Sequence, residues 1–335
     1  MKKLLFGVLT LGFLSACNSD NLSSQNEGQL NNPESSSNLT GKRVCPSDKM
    51  RDKILSTDPE ARARVTAIEE YTSKHINDIK VGKVLADGTV EIPVVFNVVY
   101  KTSADNVSDA RLQAQINVLN KDYGATNSDV NNTPSEFVPV KAGDTKIRFR
   151  LEKIVRKQSN TSVWNPDENK MKSASTGIAA TSPDNYLNIW IVNKMTDDTL
   201  GYAYYPGTIS SSLDGVVIGA PFIGTGAGTS APFNQGRTAT HEVGHYLNLP
   251  HLWGSSDAGC QTDYSNDTPA SPGPNFGTPS YPLNRVCGGV SRSQIFMNYM
   301  DYVDDAAMFM FTANQKTRMQ AVVSASGPRS GLRLY

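Results

Sequence analysis

The sequence predicts a mixed fold of helices and strands organised around one histidine-bearing helix. Three observations lead there. Segments of strand and helix periodicity interleave from about residue 89 to residue 218. A short helix carrying paired histidines follows at His241. Beyond it the chain reads as mostly irregular until a last helix near Thr312 to Ser324. At 335 residues there is room for one large domain plus accessories. No internal repeat is evident.

Lys2 and Lys3 precede an apolar run from Leu4 to Leu14, then Ser15-Ala16-Cys17. A basic start with a short apolar stretch is an export signal and lies outside the fold. Leu14-Ser15-Ala16-Cys17 resembles a bacterial lipobox, which implies cleavage before Cys17 and a diacylglycerol on its sulfur. Ordinary signal cleavage, with Cys17 a chance thiol, is the alternative. Lipid would tether the chain to a membrane without spanning it. No apolar run is long enough to cross a bilayer. Residues 17–41, rich in Ser, Asn, Gln and Glu, bury too little to fold and read as a flexible tether.

Met50 to Ile79 has apolar residues at threes and fours (Ile54, Ala61, Val65, Ile68, Tyr71), which predicts a helical segment ahead of the main domain. His75, within it, reads as a surface residue. A run of β-branched and aromatic residues from Thr89 to Tyr100 predicts a strand. Ser108 to Tyr123 reads as an amphipathic helix. Lys146 to Ile154 and Tyr186 to Val192 are further strands, and Gly201 to Tyr205 and Gly215 to Ile218 two short ones. The stretch 219–236, rich in Gly, Ser, Thr and Pro, is a loop into the histidine helix. Lys plus Arg and Asp plus Glu each number 32, a balance that gives no reason to expect nucleic acid or an acidic substrate.

Three of the four histidines lie in HEVGHYLNLPH, residues 241–251. His241 and His245 are one helical turn apart and can reach one ion. His251 follows beyond the expected helix end, since Pro250 disfavours helical geometry at the residue before it. Three neutral nitrogens with a fourth position left for water make a catalytic rather than a structural zinc site. Such an ion brings the pKa of water to about 7 and polarises a carbonyl. Glu242 would act as general base and then acid, giving amide hydrolysis.

These residues resemble the extended zinc signature of metzincin proteases, HExxHxxGxxH, with Asn248 where the family has glycine. Asparagine best tolerates the left-handed turn after glycine, so the turn survives. The resemblance implies a mixed twisted sheet with a backing helix and an active-site helix, then an irregular C-terminal subdomain ending in a helix: an α+β metzincin-like zincin. Asn298-Tyr299-Met300-Asp301-Tyr302 matches the family's methionine turn. It implies Met300 as an apolar floor beneath the histidines and Tyr302 as a donor to the tetrahedral intermediate.

Residues 241–254, the cysteines and NYMDYVDD resemble the pappalysin family in its cytophagalysin branch, with matching stretches at 92–100, 187–193 and 311–319. The resemblance implies a Cys260–Cys287 disulfide in an oxidising compartment. It implies Cys45, in Arg43-Val44-Cys45, as a thiolate that fills zinc's open position in a latent precursor. Pro46-Ser47 replace the usual Gly-Thr, and an unreactive thiol is the alternative. Asp263, Asn266, Asp267 and Thr268 resemble the family's calcium loop, with a solvated turn as the alternative. Asp305 corresponds to the aspartate at the base of the pocket just after the scissile bond, where it would favour Arg or Lys. Asp304 could fill that role instead.

The expected organisation is a signal at 1–16, tether at 17–41, pro-segment at 42–88 and catalytic domain at 89–335. The expected function is zinc-dependent endopeptidase action on protein or peptide substrates by an exported, lipid-tethered and later released monomer with a structural Ca²⁺. A catalytically inactive binding lipoprotein on the same fold is the alternative, disfavoured by the intact Glu242 and histidines.

Overall fold

Val90 to Tyr100 forms β1, the strand on which the sheet is assembled. The computed structural model describes residues 41–80, 88–255 and 259–332, so the signal, Cys17 and nearly all of the tether lie outside the described residues. β1 alternates its side chains between two cores, as a strand buried on both faces must. Ile92, Val94, Phe96 and Val98 point into the larger one, and Val99 into the smaller, with Trp190 and Val217. Helix α3 (Asp109–Tyr123) follows, its Ser108 hydroxyl accepting the Arg111 N–H as an N-cap. Leu112, Ile116 and Leu119 bury its apolar stripe against the larger core.

The other strands are β2 (Ile147–Gln158), β3 (Leu187–Val192), β4 (Gly201–Ala203) and β5 (Val216–Gly219). They form one five-stranded sheet in the order β2-β1-β3-β5-β4. All neighbours are parallel except β4, which runs antiparallel to β5 at the edge. Pro93 sits in a central strand but precedes the Val94–Val99 stretch that pairs with β3, so its missing N–H costs no bond on that side.

The helical segment expected ahead of the main domain consists of two helices. They are α1 (Ser47–Thr57) and α2 (Pro59–Lys80), broken at Asp58, which is extended at φ −117° and ψ 100°. Pro59 disfavours helical geometry at the residue before it, and Asp58 Oδ1 then accepts the N–H groups of Glu60 and Ala61, each at 2.9 Å. His75 is half-buried on α2, its ring 6.1 Å from that of Tyr71.

Helix α4 (Arg237–Tyr246) carries the histidine motif and is buried along its whole length. The irregular half contains one feature the sequence reading omitted, a hairpin of β6 (Asn284–Cys287) and β7 (Val290–Ser293). Its turn is Gly288-Gly289, both at positive φ, a two-residue hairpin signal that was legible in the sequence. The hairpin is stapled by the Cys260–Cys287 disulfide. The last helix, α5 (Ala313–Val323), has Thr312 and Gln315 as a reciprocal capping box.

Candidate active site

Helix α4 ends where the motif needs it to end. The N–H of Asn248 bonds the His245 carbonyl and that of Leu249 the Gly244 carbonyl, each at 2.9 Å, with Asn248 left-handed at φ 72°. This is a Schellman ending with asparagine in the glycine position. It turns the chain so that His251 comes back to the helical pair.

The three Nε2 atoms lie 3.0–3.2 Å apart. Each opposite nitrogen has an outward partner. His241 Nδ1 bonds the Tyr299 carbonyl at 2.6 Å, His245 Nδ1 the Leu249 carbonyl at 2.7 Å, and His251 Nδ1 Asp48 Oδ2 at 2.5 Å. Protons at Nδ1 leave three Nε2 lone pairs facing one another, which do not hydrogen-bond among themselves. Bonds of about 2.0–2.1 Å to a tetrahedral zinc would set nitrogen spacings of about 3.3 Å, so the donor set fits that ion. Burial, followed by the neighbouring rings, pushes the pKa of His241 well down and that of His245 to about 3, favouring the neutral form a ligand needs.

Cys45 Sγ is the fourth donor of the cluster. Its sulfur and the three histidines' ligand atoms all lie within 4.8 Å of one another, the one group of at least three His, Cys, Asp or Glu donors among the described residues. Burial and then the Glu242 carboxylate push the thiol pKa up. Cys45 Sγ lies 3.2 Å from Glu242 Oε2 and 3.1 Å from Ser47 Oγ, and Ser47 Oγ donates to the same carboxylate oxygen at 3.3 Å. Burial raises Glu242 to about 8 even with these partners lowering it. Gly201 of β4 permits this arrangement, because a Cβ there would come within 2.9 Å of Glu242 Cγ.

The segment before α1 runs along the edge of the sheet. Val44 O accepts the Leu200 N–H at 3.1 Å, and Ser47 Oγ accepts the Ala203 N–H at 2.9 Å. Arg43 is fully buried. Its Nη2 lies 2.7 Å from Asp305 Oδ1, its Nη1 donates to Thr238 Oγ1 at 3.0 Å, and its guanidinium sits over the Phe233 ring. Asp305 Oδ2 also accepts the N–H groups of Gln235 (2.8 Å) and Arg237 (3.2 Å), at the start of α4.

Met300 lies under α4, where a Cβ on Gly244 would be 2.5 Å from its sulfur. The Tyr302 ring stands edge-on to His251 at 4.8 Å, and its hydroxyl donates to the Cys45 carbonyl at 2.7 Å. A cleft of about 930 Å³ is lined by Cys45, Asp48, His251, Trp253, Phe276 and Tyr302 among others.

The residues of the expected calcium loop stand apart from this cluster. Asp263 is buried, which raises it to about 7, and accepts from Ser265 N and Thr268 Oγ1. Asp267 accepts from Thr312 Oγ1 and Asn314 N at the start of α5, and Asn266 is exposed.

Two participants had no sequence signal, Asp48 and Tyr205. Tyr205 OH donates to Asp48 Oδ1 at 2.5 Å and lies 2.8 Å from His245 Nδ1. Burial opposes a charge on Asp48, but His251 and then Arg51 hold its carboxyl below the usual range.

Comparison with known proteins agrees with this geometry. The family described as pregnancy-associated plasma protein-A, peptidase family M43, matches residues 173–324. An extracellular metalloprotease of Arthroderma otae is 30% identical over 234 residues, 69% of this chain and 76% of that protein. One from Verticillium alfalfae is 33% identical over 250 residues, 72% of this chain and 78% of that protein. Among solved structures, mature mirolysin of Tannerella forsythia, in complex with a cleaved peptide, is 39% identical at a TM-score of 0.71, covering 75% of this chain and 97% of that one. A Tannerella forsythia promirolysin mutant is 37% identical at a TM-score of 0.77, covering 88% and 98%.

Proposed function

The chain belongs to the pappalysin family of metzincin zinc metalloproteases, and we propose that it is a latent, exported endopeptidase whose zinc is held by His241, His245 and His251. The observation that carries this reading is the convergence of three Nε2 lone pairs beside Glu242. Zinc held by the three imidazoles would supply a water of pKa about 7 and a Lewis acid for the scissile carbonyl. Glu242 takes the proton of the attacking water and hands it to the leaving amine. Tyr302 OH, released from the Cys45 carbonyl, donates to the carbonyl oxygen as negative charge grows on it. Met300 supports the helix beneath the histidines.

Residues 42–88 are the pro-segment and 89–335 the catalytic domain. Cys45 Sγ, within 4.8 Å of the three histidine nitrogens, would as a thiolate complete the donor set for the ion and keep water from it. The bond from Leu200 N to Val44 O supports this, since an extended substrate adds to a sheet edge by such bonds. Arg43 on Asp305 supports a preference for Arg or Lys just after the scissile bond. Substrates are extended peptides, in keeping with the cleaved peptide in the mirolysin complex. Asp263, Asn266, Asp267 and Thr268 bind Ca²⁺, supported by the buried, raised carboxyl of Asp263. Lipid on Cys17 tethers the precursor, and removal of the pro-segment releases a monomeric enzyme.

The test is self-processing. Incubated with zinc and calcium, the purified precursor acquires a new N-terminus between residues 60 and 90, whereas Glu242→Ala stays intact. A Glu242→Ala chain that still matures unaided would overturn the assignment.

A further inference from the structure

Asp48 lies in the first turn of α1, three residues past Cys45, and is buried. Its Oδ2 bonds His251 Nδ1 at 2.5 Å, and its Oδ1 accepts from Tyr205 OH, itself 2.8 Å from His245 Nδ1. Arg51, one turn on, lies 3.6 Å from Asp48 Oδ1 and partly balances the carboxylate. The outward nitrogens of His241 and His245 have backbone carbonyls from the body of the protein, but the hydrogen bond at His251 Nδ1 goes to the N-terminal segment. The turn that delivers His251 is gripped from that segment too. Asn248 Nδ2 donates to Glu69 Oε1 at 2.8 Å, and Arg318 joins Glu69 to the Asn248 carbonyl at 3.0 Å.

We propose that Asp48 is a positioning residue for the metal: the pro-segment supplies the outer carboxylate of the His251–zinc pair, so it builds the site as well as covering it. This rests on the reading of His241, His245 and His251 as zinc ligands. A carboxylate on the far nitrogen fixes the tautomer and ring orientation and raises the basicity of the coordinating nitrogen. The role is distinct from that of Cys45, which fills a coordination position. Cutting away the segment therefore removes two things at once, the plug and the partner of the third ligand, and activation leaves a zinc site more easily emptied.

The experiment uses the full-length Glu242→Ala precursor, which does not process itself. Zinc affinity is measured by competition with a chromophoric chelator. A parallel sample loaded with Co²⁺ reports, by its thiolate-to-metal charge-transfer band, whether Cys45 still coordinates. Asp48→Asn is expected to lower zinc affinity about 10–100-fold while the band persists. Affinity within about threefold of the parent would overturn the proposal. So would loss of the band together with the affinity, because Asp48 would then merely seat the segment. If Asp48→Asn does not fold, Asp48→Ser, which removes the carboxylate from His251 Nδ1 and leaves a small polar side chain, is expected to lower affinity several-fold with the band retained, and no change overturns the proposal. A parent lacking the band refutes the Cys45 reading alone, and affinity then decides. A parent that binds no zinc refutes the ligand assignment itself.

Discussion

Replacing Asp305 by asparagine separates two roles that one carboxylate performs. Oδ2 receives the Gln235 and Arg237 N–H groups at the start of α4, while Oδ1 faces the Arg43 guanidinium at 2.7 Å. An asparagine can keep its carbonyl oxygen toward the backbone, so the helix start survives. Its NH₂ group then meets the guanidinium, donor against donor. Bonds to charged groups contribute about 1.5–3 kcal/mol, and breaking a buried pair costs about 3–5 kcal/mol. A substrate pocket is wet before binding, so the loss falls between them, at about 2–4 kcal/mol, or roughly 30- to 700-fold at 1.4 kcal/mol per decade. The assay is kcat/KM of the activated enzyme on two matched peptides, one with arginine and one with leucine just after the scissile bond. The arginine-to-leucine ratio should fall by that factor while the leucine peptide changes little. A ratio preserved within about threefold would refute the pocket. Equal losses on both peptides, with a lowered Tm, would mean that Asp305 serves only the start of α4.

Three more outcomes are expected. Cys45→Ala frees the position beside the three imidazoles, and should raise the peptidase activity of uncut precursor by about an order of magnitude or more, equivalent to at least about 1.4 kcal/mol of lost latency; fluorogenic peptide turnover checks it. Gly244→Ala drives a methyl to within 2.5 Å of the Met300 sulfur and should cost about 1–3 kcal/mol in urea unfolding, with a less-than-additive loss when combined with Met300→Ala. Lys172 is buried among Trp190, Tyr202 and Tyr204, donates to the Leu213 carbonyl at 2.6 Å, and is lowered to about 7 by burial. Its folded pKa lies below its unfolded value, so the unfolded chain holds the extra proton between about pH 7 and 10, and stability gains with rising pH across that window. The full shift corresponds to about 5 kcal/mol at 1.36 kcal/mol per unit, reduced by the cation–π contacts. The stability difference between parent and Lys172→Met should therefore drift by a few kcal/mol over that range, and parallel pH profiles would refute it.

How much was legible follows from how local each feature is. The histidine pair was readable because four residues is one helical turn, and Asn248-Leu249-Pro250 because the turn is made by the chain's own backbone. The strands of the sheet were readable from runs of β-branched, aromatic and other apolar residues, with ends moved by a few residues. The break at Asp58 was written in Asp58-Pro59, but helical spacing on both sides masked it. The Gly288-Gly289 hairpin was likewise written locally, in a segment whose composition looked irregular.

By itself the sequence determined the chemistry available to this protein: a metalloprotease's histidines and carboxylate, carried on one helix and its following turn. Family resemblance added Cys45, Asp305 and the disulfide. Only the tertiary structure decided which groups meet them. Asp48 and His251 are 203 residues apart, and Arg43 and Asp305 are 262 apart. No periodicity encodes such pairs. They exist because the segment before α1 lies along the edge strand β4, and packing of that kind depends on the whole sheet and both cores being in place.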